Sequence, residues 1–484
     1  MRLMILPPRA DPTLEVEAAG WTVVDMERAF ADRVLRPDRL LQEAAAAAAS
    51  GAATRRLLLL RSAAELLDAP HRQTRLRAMG AAYAGICDPE SGLELRLDDL
   101  ELTAGTTERL ADVLALPARR SPFVPEIEAA VAAATGAERV LVWLEQDQQL
   151  PAAAALVERL SASGRPGVAG AFASAHWRTL GARPPLSAAR LVATPAVTRR
   201  LRVVPGHANG EATAWRDAPG EPVPDGVWAG RVSLSEVVGG ALPLDRCRFA
   251  VAGFCAAHDE VVAPDGWRIP RAEMARARPA SLRLVGEWLV GAPGIGRQDL
   301  ERTLAEEDRA PLFDWIAGLR RFHWPVDRAG VTWAGREVVV GEPPAELDLA
   351  RFRPVACPGT IAPDQLDDVI AGLFRRLDER APLVAGRIAA AFASQQPAPV
   401  AGRRVELDPD CALVELPGDD GRARWTAVNL RTGVALALDA RLAPHVADLR
   451  RPAEPEAALA RLPAPVRERA LSLLRARAVI RSCA

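Results

Sequence analysis

The stretch Ser281-Leu-Arg-Leu-Val-Gly-Glu-Trp-Leu-Val-Gly-Ala-Pro-Gly-Ile-Gly-Arg-Gln-Asp-Leu-Glu-Arg-Thr-Leu304 constrains this chain more than any other, because it reads as a buried strand, a glycine turn and the opening of a helix. Gly291, Gly294 and Gly296 let backbone amides approach a ligand, and the helix that follows directs its positive dipole end at the same point. That pattern predicts an α/β fold in which the turn lies at the carboxyl edge of a parallel sheet, where such folds bind ligands. The spacing Gly291-x4-Gly296 also imitates a phosphate-binding P-loop, whose chemistry needs a lysine on the terminal phosphates and a hydroxyl on magnesium. Arg297 and Gln298 stand there instead, and all 61 basic residues of the chain are arginine. A degenerate P-loop nucleotide-binding protein therefore ranks third among the readings, and lysine Schiff-base or general-base chemistry is excluded.

Charge narrows the partners. The 61 basic residues against 62 acidic ones give a net charge of -1, and arginine is spread evenly, so the electrostatic footprint of a nucleic-acid or membrane-surface binder is missing. No run approaches the roughly 20 apolar residues that span a bilayer, and Met1 to Pro8 has neither a long apolar region nor a cleavage site. A cytoplasmic protein is the expectation. Cys87, Cys247, Cys255, Cys357, Cys411 and Cys483 are too sparse for a disulfide framework at this length.

The length predicts about two to four domains. Short apolar strands at Arg2 to Leu6, Gly20 to Asp25 and Arg56 to Leu60, with a helix from Leu40 to Ala53 between the last two, give α/β alternation across an N-terminal region, 1–120. After a proline-bounded break at Pro117 to Pro125, the strand Glu138 to Leu144, a helix opened by Pro151 and the strand Val168 to Phe172 predict a Rossmann-like βαβ domain over 121–230. The β-then-α rhythm returns over 231–395, with helices expected near Asp299 to Glu307, Pro311 to Arg320 and Pro363 to Ala393. Beyond the link Gln396-Pro-Ala-Pro-Val400, strands at Arg404 to Leu407, Ala412 to Leu416, Arg424 to Asn429 and Val434 to Leu438 predict a small α+β domain over 400–484.

The order of these pieces carries a resemblance. Ser121-Pro-Phe-Val-Pro125, the strand Val140 to Leu144 and the run Gln148-Gln-Leu-Pro-Ala-Ala-Ala-Ala-Leu-Val-Glu-Arg-Leu160 resemble the cobalamin-binding domain that precedes many radical SAM catalytic domains. Leu289-Val-Gly-Ala-Pro-Gly294 is similar to the glycine-proline turn on a middle strand of the radical SAM barrel, and Val355-Ala-Cys-Pro-Gly-Thr360 to a P-G-T segment near its final strands. The resemblance implies a Rossmann-like cobalamin-binding-type domain followed by a shortened radical SAM-like partial (β/α) barrel. It places Gly291, Pro293, Gly294 and Gly296 against a cofactor. A radical SAM cluster needs three thiolates in C-x3-C-x2-C spacing, and this chain offers Cys247-x7-Cys255-x2-His258 instead. On the resemblance, Cys247, Cys255 and His258 would hold an iron-sulfur cluster with S-adenosylmethionine; the alternative is that Cys247 and Cys255 are ordinary buried residues of a decayed site. On the resemblance, cobalamin would rest on Pro205-Gly-His207-Ala-Asn-Gly210, which has the H-x-x-G part of the base-off loop but proline in place of its aspartate; read by themselves, these residues are a plain turn. The remaining histidines, His71, His176, His323 and His445, read as isolated from carboxylate or cysteine clusters.

Ala427-Val-Asn-Leu-Arg-Thr-Gly-Val-Ala-Leu-Ala-Leu438 looks like the strand-turn-strand of small PqqD-like winged-helix domains. Those domains take up a leader peptide as an extra strand at a sheet edge; the same residues are also plain hairpin-turn chemistry. The expected function is a radical SAM/cobalamin-type protein of peptide natural-product (RiPP) maturation, which with cobalamin bound would be a methyltransferase performing radical C-methylation. The competing reading is a non-catalytic homologue that binds a peptide or cofactor and assists a complete partner radical SAM enzyme.

Overall fold

The computed structural model describes residues 1–9, 13–201, 213–240, 242–325, 332–378, 381, 383–385, 387–389, 404–417, 423–454, 457 and 459–483. His207 with its loop and the 396–400 link lie outside the described residues. The chain is a mixed α/β protein with parallel sheets, and it divides into two compact units. The first comprises Met1–Phe30, Glu90–Leu93 and Asp98–Ala393; the second comprises Ala31–Pro89, Glu94–Leu97 and Ser394–Ala484. This division crosses the sequential segmentation expected from composition, since part of the 1–120 segment belongs to each unit.

In the first unit, β1 (Arg2–Leu6), β2 (Leu14–Ala18), β3 (Thr22–Asp25), β4 (Arg139–Trp143), β5 (Gly167–Ala169) and β6 (Arg190–Leu191) contribute to two sheets. Strands β3-β1-β4-β5-β6 form one sheet in that order, parallel at every step. The expected first strand, Val140 to Leu144, is therefore the third of this sheet in chain order and stands at its centre, with β1 beside it. Its apolar run is continuous because both faces are covered. Leu3 and Ile5 are buried on one side, while Met4, Leu6, Leu141 and Trp143 form a cluster on the other with Val16 and Val197.

Those last two residues belong to the second sheet, whose remaining strands are β7 (Val197–Leu201), β8 (Thr213–Arg216), β9 (Trp228–Arg231), β10 (Cys247–Phe254), β14 (Arg283–Val290) and β15 (Trp315–Arg321). Between β10 and β14 the chain makes a separate antiparallel sheet of β11 (Ala256–Ala257), β12 (Glu260–Val262) and β13 (Arg268–Pro270). The order β15-β14-β10-β9-β8-β7-β2 holds five consecutive parallel strands, from β8 to β15, and two antiparallel ones at the far edge. On one face Ala252, Phe254, Leu284, Trp288 and Val290 pack with Met274, Leu300, Leu304 and Val369 of the helices Arg271–Ala277, Arg297–Arg309 and Pro363–Asp378.

The helix expected over Pro363 to Ala393 spans Pro363–Asp378, with 383–385 not helical, and the strand expected over Val168 to Phe172 is Gly167–Ala169, with Phe172 in the helix Ala171–Leu180. Two further elements change type. Residues expected to form a helix over Pro311 to Arg320 instead give β15, which pairs along β14 from Val285↔Trp315 to Val290↔Arg321. Arg56 to Leu60, expected as a strand, lies inside the helix Thr54–Leu66, where Leu57, Leu60, Ala63 and Leu66 face inward at helical spacing. Short apolar runs carry both periods, and the neighbouring element decides between them.

The second unit holds β16 (Arg404–Leu407), β17 (Cys411–Pro417), β18 (Ala423–Asn429), β19 (Val434–Leu438) and β20 (Ile480–Cys483), with β16 paired to β20 and β17-β18-β19 forming an antiparallel sheet. The helix Arg72–Ile86 joins it through buried charge. Asp410 accepts from Thr74 Oγ1 at 2.7 Å and pairs with Arg77 at 3.4 Å, and the neighbouring Asp408 pairs with Arg431 at 2.8 Å. No helix among the described residues is long and apolar enough to cross a membrane.

Candidate functional site

The glycine turn stands where the sequence places it, between β14 and the helix Arg297–Arg309, at the carboxyl end of a parallel strand. Gly291 and Gly294 adopt positive φ, 90° and 69°. Its polar groups serve the protein itself. Gly294 N–H donates to Thr360 Oγ1 at 2.7 Å, Gly294 C=O accepts from Arg336 Nη1 at 3.2 Å, and Gly296 N–H donates to Asp299 Oδ2 at 2.9 Å. Pro293 has no N–H to offer, and Gly291 lies against Leu366. The Asp299 carboxylate caps the helix start, so an anionic ligand there would meet like charge. A phosphate-cradling or cofactor-facing role for Gly291, Pro293, Gly294 and Gly296 therefore has no free donor at Gly294 or Gly296.

The proposed metal ligands do not converge. Cys247 begins β10 and Cys255 follows its last residue, so at about 3.3 Å per residue their Cα atoms are roughly 25 Å apart, where one cluster requires all its ligands within several ångströms. No rotamer spans that gap. Burial pushes the Cys247 thiol up to about 12 and the fully buried Cys255 thiol well above its usual value, with Asp265 adding to the latter. Both environments oppose the thiolate that binds metal. His258 lies between two carboxylates, with Nδ1 3.4 Å from Asp259 and Nε2 3.3 Å from Asp299. Among the described residues no group of three or more His, Cys, Asp or Glu side chains is placed to hold a metal ion.

Charge gathers instead at the carboxyl edge of the first sheet. Order reverses there between β1 and β4, the place where doubly wound sheets bind ligands. The chain's own amides fill the crevice itself: Gln149 Nε2 donates to Pro7 C=O at 3.1 Å, Gln146 Nε2 donates to Arg9 C=O, and Gln149 Oε1 accepts from Glu145 N–H at 2.7 Å. Among the described residues that follow β1, Pro7 and Pro8 supply no N–H and the Arg9 N–H donates to Glu27 Oε2.

Beside it, Asp147 is 5% exposed, accepts from Thr107 Oγ1 at 2.5 Å and lies 3.0 Å from Arg351 Nη2. Burial, then the charge of Asp147, raises the Glu108 carboxyl. Burial, then Arg351, lowers His176, whose ring also lies 4.6 Å from Phe172. Sequence reading took His176 as isolated and passed over Asp147, Glu108, Thr107 and Arg351. Only the polar Gln146-Asp-Gln-Gln149 after an apolar strand signals the site; Arg351 reaches it from some 200 residues away.

The small sheet of the second unit has two unlike edges. On β17, Leu413 N–H donates to Glu65 Oε2 at 3.0 Å and Glu415 C=O accepts from Arg61, so the helix Thr54–Leu66 covers that edge. No described strand pairs with the outer edge of β19. Asn429 is fully buried, accepts from the N–H groups of Arg431 and Thr432 at 2.9 and 3.0 Å, and donates to Ala478 C=O at 2.7 Å. The Asn429-x-x-Thr432-Gly433 signature thus builds the hairpin turn that presents β19. No family model matches the chain, and neither a curated protein nor a solved structure matches it.

Proposed function

We propose that the chain is a peptide-binding, non-catalytic relative of the radical SAM/cobalamin type that assists a complete partner enzyme in peptide maturation, with the peptide adding as a strand to β19. The edge asymmetry of the β17-β18-β19 sheet carries this reading. Unprotected edges are normally blocked because they pair with other chains, and here one edge is covered by Glu65 and Arg61 while the other has no described strand beside it. The all-parallel first sheet and the run of five parallel strands in the second support the architectural part of the resemblance. The distance between Cys247 and Cys255 weighs against the cluster-bearing alternative.

The test is a displayed library of extended peptides selected on the full chain, followed by amide exchange of the complex. Selected peptides should slow exchange at Val434 to Leu438, and Ala435→Pro or Leu436→Pro, whichever of these adjacent positions carries the outward N–H, should weaken binding at least tenfold while the near-ultraviolet dichroism stays unchanged. Selected peptides that protect a different surface would rule the β19 edge out.

A further inference from the structure

The carboxyl edge of β4 holds an ion pair, Asp147 with Arg351, that the peptide reading does not use. Asp147 Oδ1 is sealed from solvent and makes no aligned hydrogen bond, although Arg351 Nη2 lies 3.0 Å away. Arg351 Nε–H is likewise buried and unbonded. Buried polar atoms are almost always hydrogen-bonded, so a pair that is close yet misaligned marks an imperfect occupant. That occupant arrives on a strap, residues 341–350, which has no regular secondary structure. The strap is tied down by Leu110 N–H to Asp348 Oδ1 at 2.9 Å, by Leu349 N–H to Glu108 C=O at 3.0 Å and by Arg109 Nε to Glu346 C=O at 3.2 Å.

The geometry points to a guanidinium-recognition site at Asp147 and Glu108, held shut in cis by Arg351 and open to a guanidinium from a partner when the strap lifts. Guanidinium fits because its planar fork can give a carboxylate two parallel hydrogen bonds, the match that Arg351 misses. The local charges are Asp147, Glu108 and Asp348 against Arg351, with His176 beside them. Removing Arg351 therefore leaves an acidic crevice, and the Thr107 hydroxyl already orients one carboxylate oxygen.

The experiment uses the full chain carrying Arg351→Ala, with Arg351→Gln as a second variant that keeps part of the stem should the first not fold. Thermal midpoints are measured against methylguanidinium, methylammonium, sodium chloride and the blocked tripeptide acetyl-Ala-Arg-Ala-amide. Methylguanidinium should raise the variant's midpoint saturably, by about 2 °C or more at tenfold over its Kd, while methylammonium and sodium at equal ionic strength do less. Adding Asp147→Asn should abolish the response. A tripeptide response equal to or stronger than that to methylguanidinium assigns the source to a peptide arginine, and a response to methylguanidinium alone assigns it to a small guanidine compound. A folded Arg351→Ala or Arg351→Gln variant that responds no more than its Asp147→Asn double variant overturns the proposal.

Discussion

Two strand-to-helix turns of the first unit make an instructive pair: Gly291 to Gly296 after β14, and Leu144 to Gln149 after β4. The first has the composition of a ligand loop, three glycines and a helix start, yet Thr360, Arg336 and Asp299 use the polar groups of its middle. The second has no glycine, and a buried carboxylate with an unaligned oxygen lies there. Glycine in a turn reports backbone conformation and close approach, and the approaching body can be the protein itself. A buried charge held in imperfect geometry is the stronger pointer to a ligand, because leaving it so costs free energy.

The largest expected effect sharpens the difference in packing at the two edges. At the edge of β4 and β5, Gly170 has φ 112° and a Cβ there would lie 2.1 Å from Leu144 O, a backbone atom that cannot swing away. Gly170→Ala should destabilise by about 4 kcal/mol, the sum of left-handed strain and overpacking. At the glycine turn, Gly294→Ala meets Arg336 Nη1 at 2.0 Å, the far end of a flexible side chain. The cost there should be about 1 to 2 kcal/mol, mostly backbone strain. Denaturant unfolding of both variants checks the order, and an equal loss at the two positions would remove the contrast.

Next in size is Asp147→Asn. Breaking a fully buried ion pair by removing one partner typically costs about 3–5 kcal/mol, but the Arg351 side chain is 38% exposed and can recover hydration. A loss of about 2 kcal/mol is expected. A loss below about 0.5 kcal/mol would place the pair among ordinary surface contacts and weaken the case for the second turn.

Much of the fold was legible because local signals and tertiary context agree: β4, β14 and the four strands from β16 to β19 stand within a residue or two of expectation. The failures are at short apolar runs. Trp315 to Leu319 carries no period long enough to choose between helix and strand, and the edge of β14 chose. The division into units was not legible either, because the Asp408, Asp410, Arg77 and Arg431 network joins residues more than 300 positions apart. The cysteine reading failed for a simpler reason. Spacing along a chain places ligands together only on a loop or helix, and the seven residues between Cys247 and Cys255 are the rest of an extended strand.

The smallest expected effect is a pH dependence belonging to the second turn. Burial, then the charge of Asp147, raises the Glu108 carboxyl above its ordinary value in the folded chain. The native state then binds this proton more tightly than the unfolded state does. Its contribution to stability is fully present below the unfolded carboxylate value and is lost as pH rises through the folded one. His176, held down by burial and then Arg351, acts in the opposite sense: its contribution is present above the ordinary histidine value and falls away on acidification. The two overlap in a wild-type titration, so the informative quantity is the difference between wild type and Glu108→Gln, in which only the carboxyl is removed. Relative to that variant, the wild-type thermal midpoint should rise on going from pH 7 to about 4.5, by a degree or so at most because Glu108 is partly solvated. A difference that stays flat across this range would mean that Glu108 titrates as a free surface carboxylate and that Asp147 does not act on it.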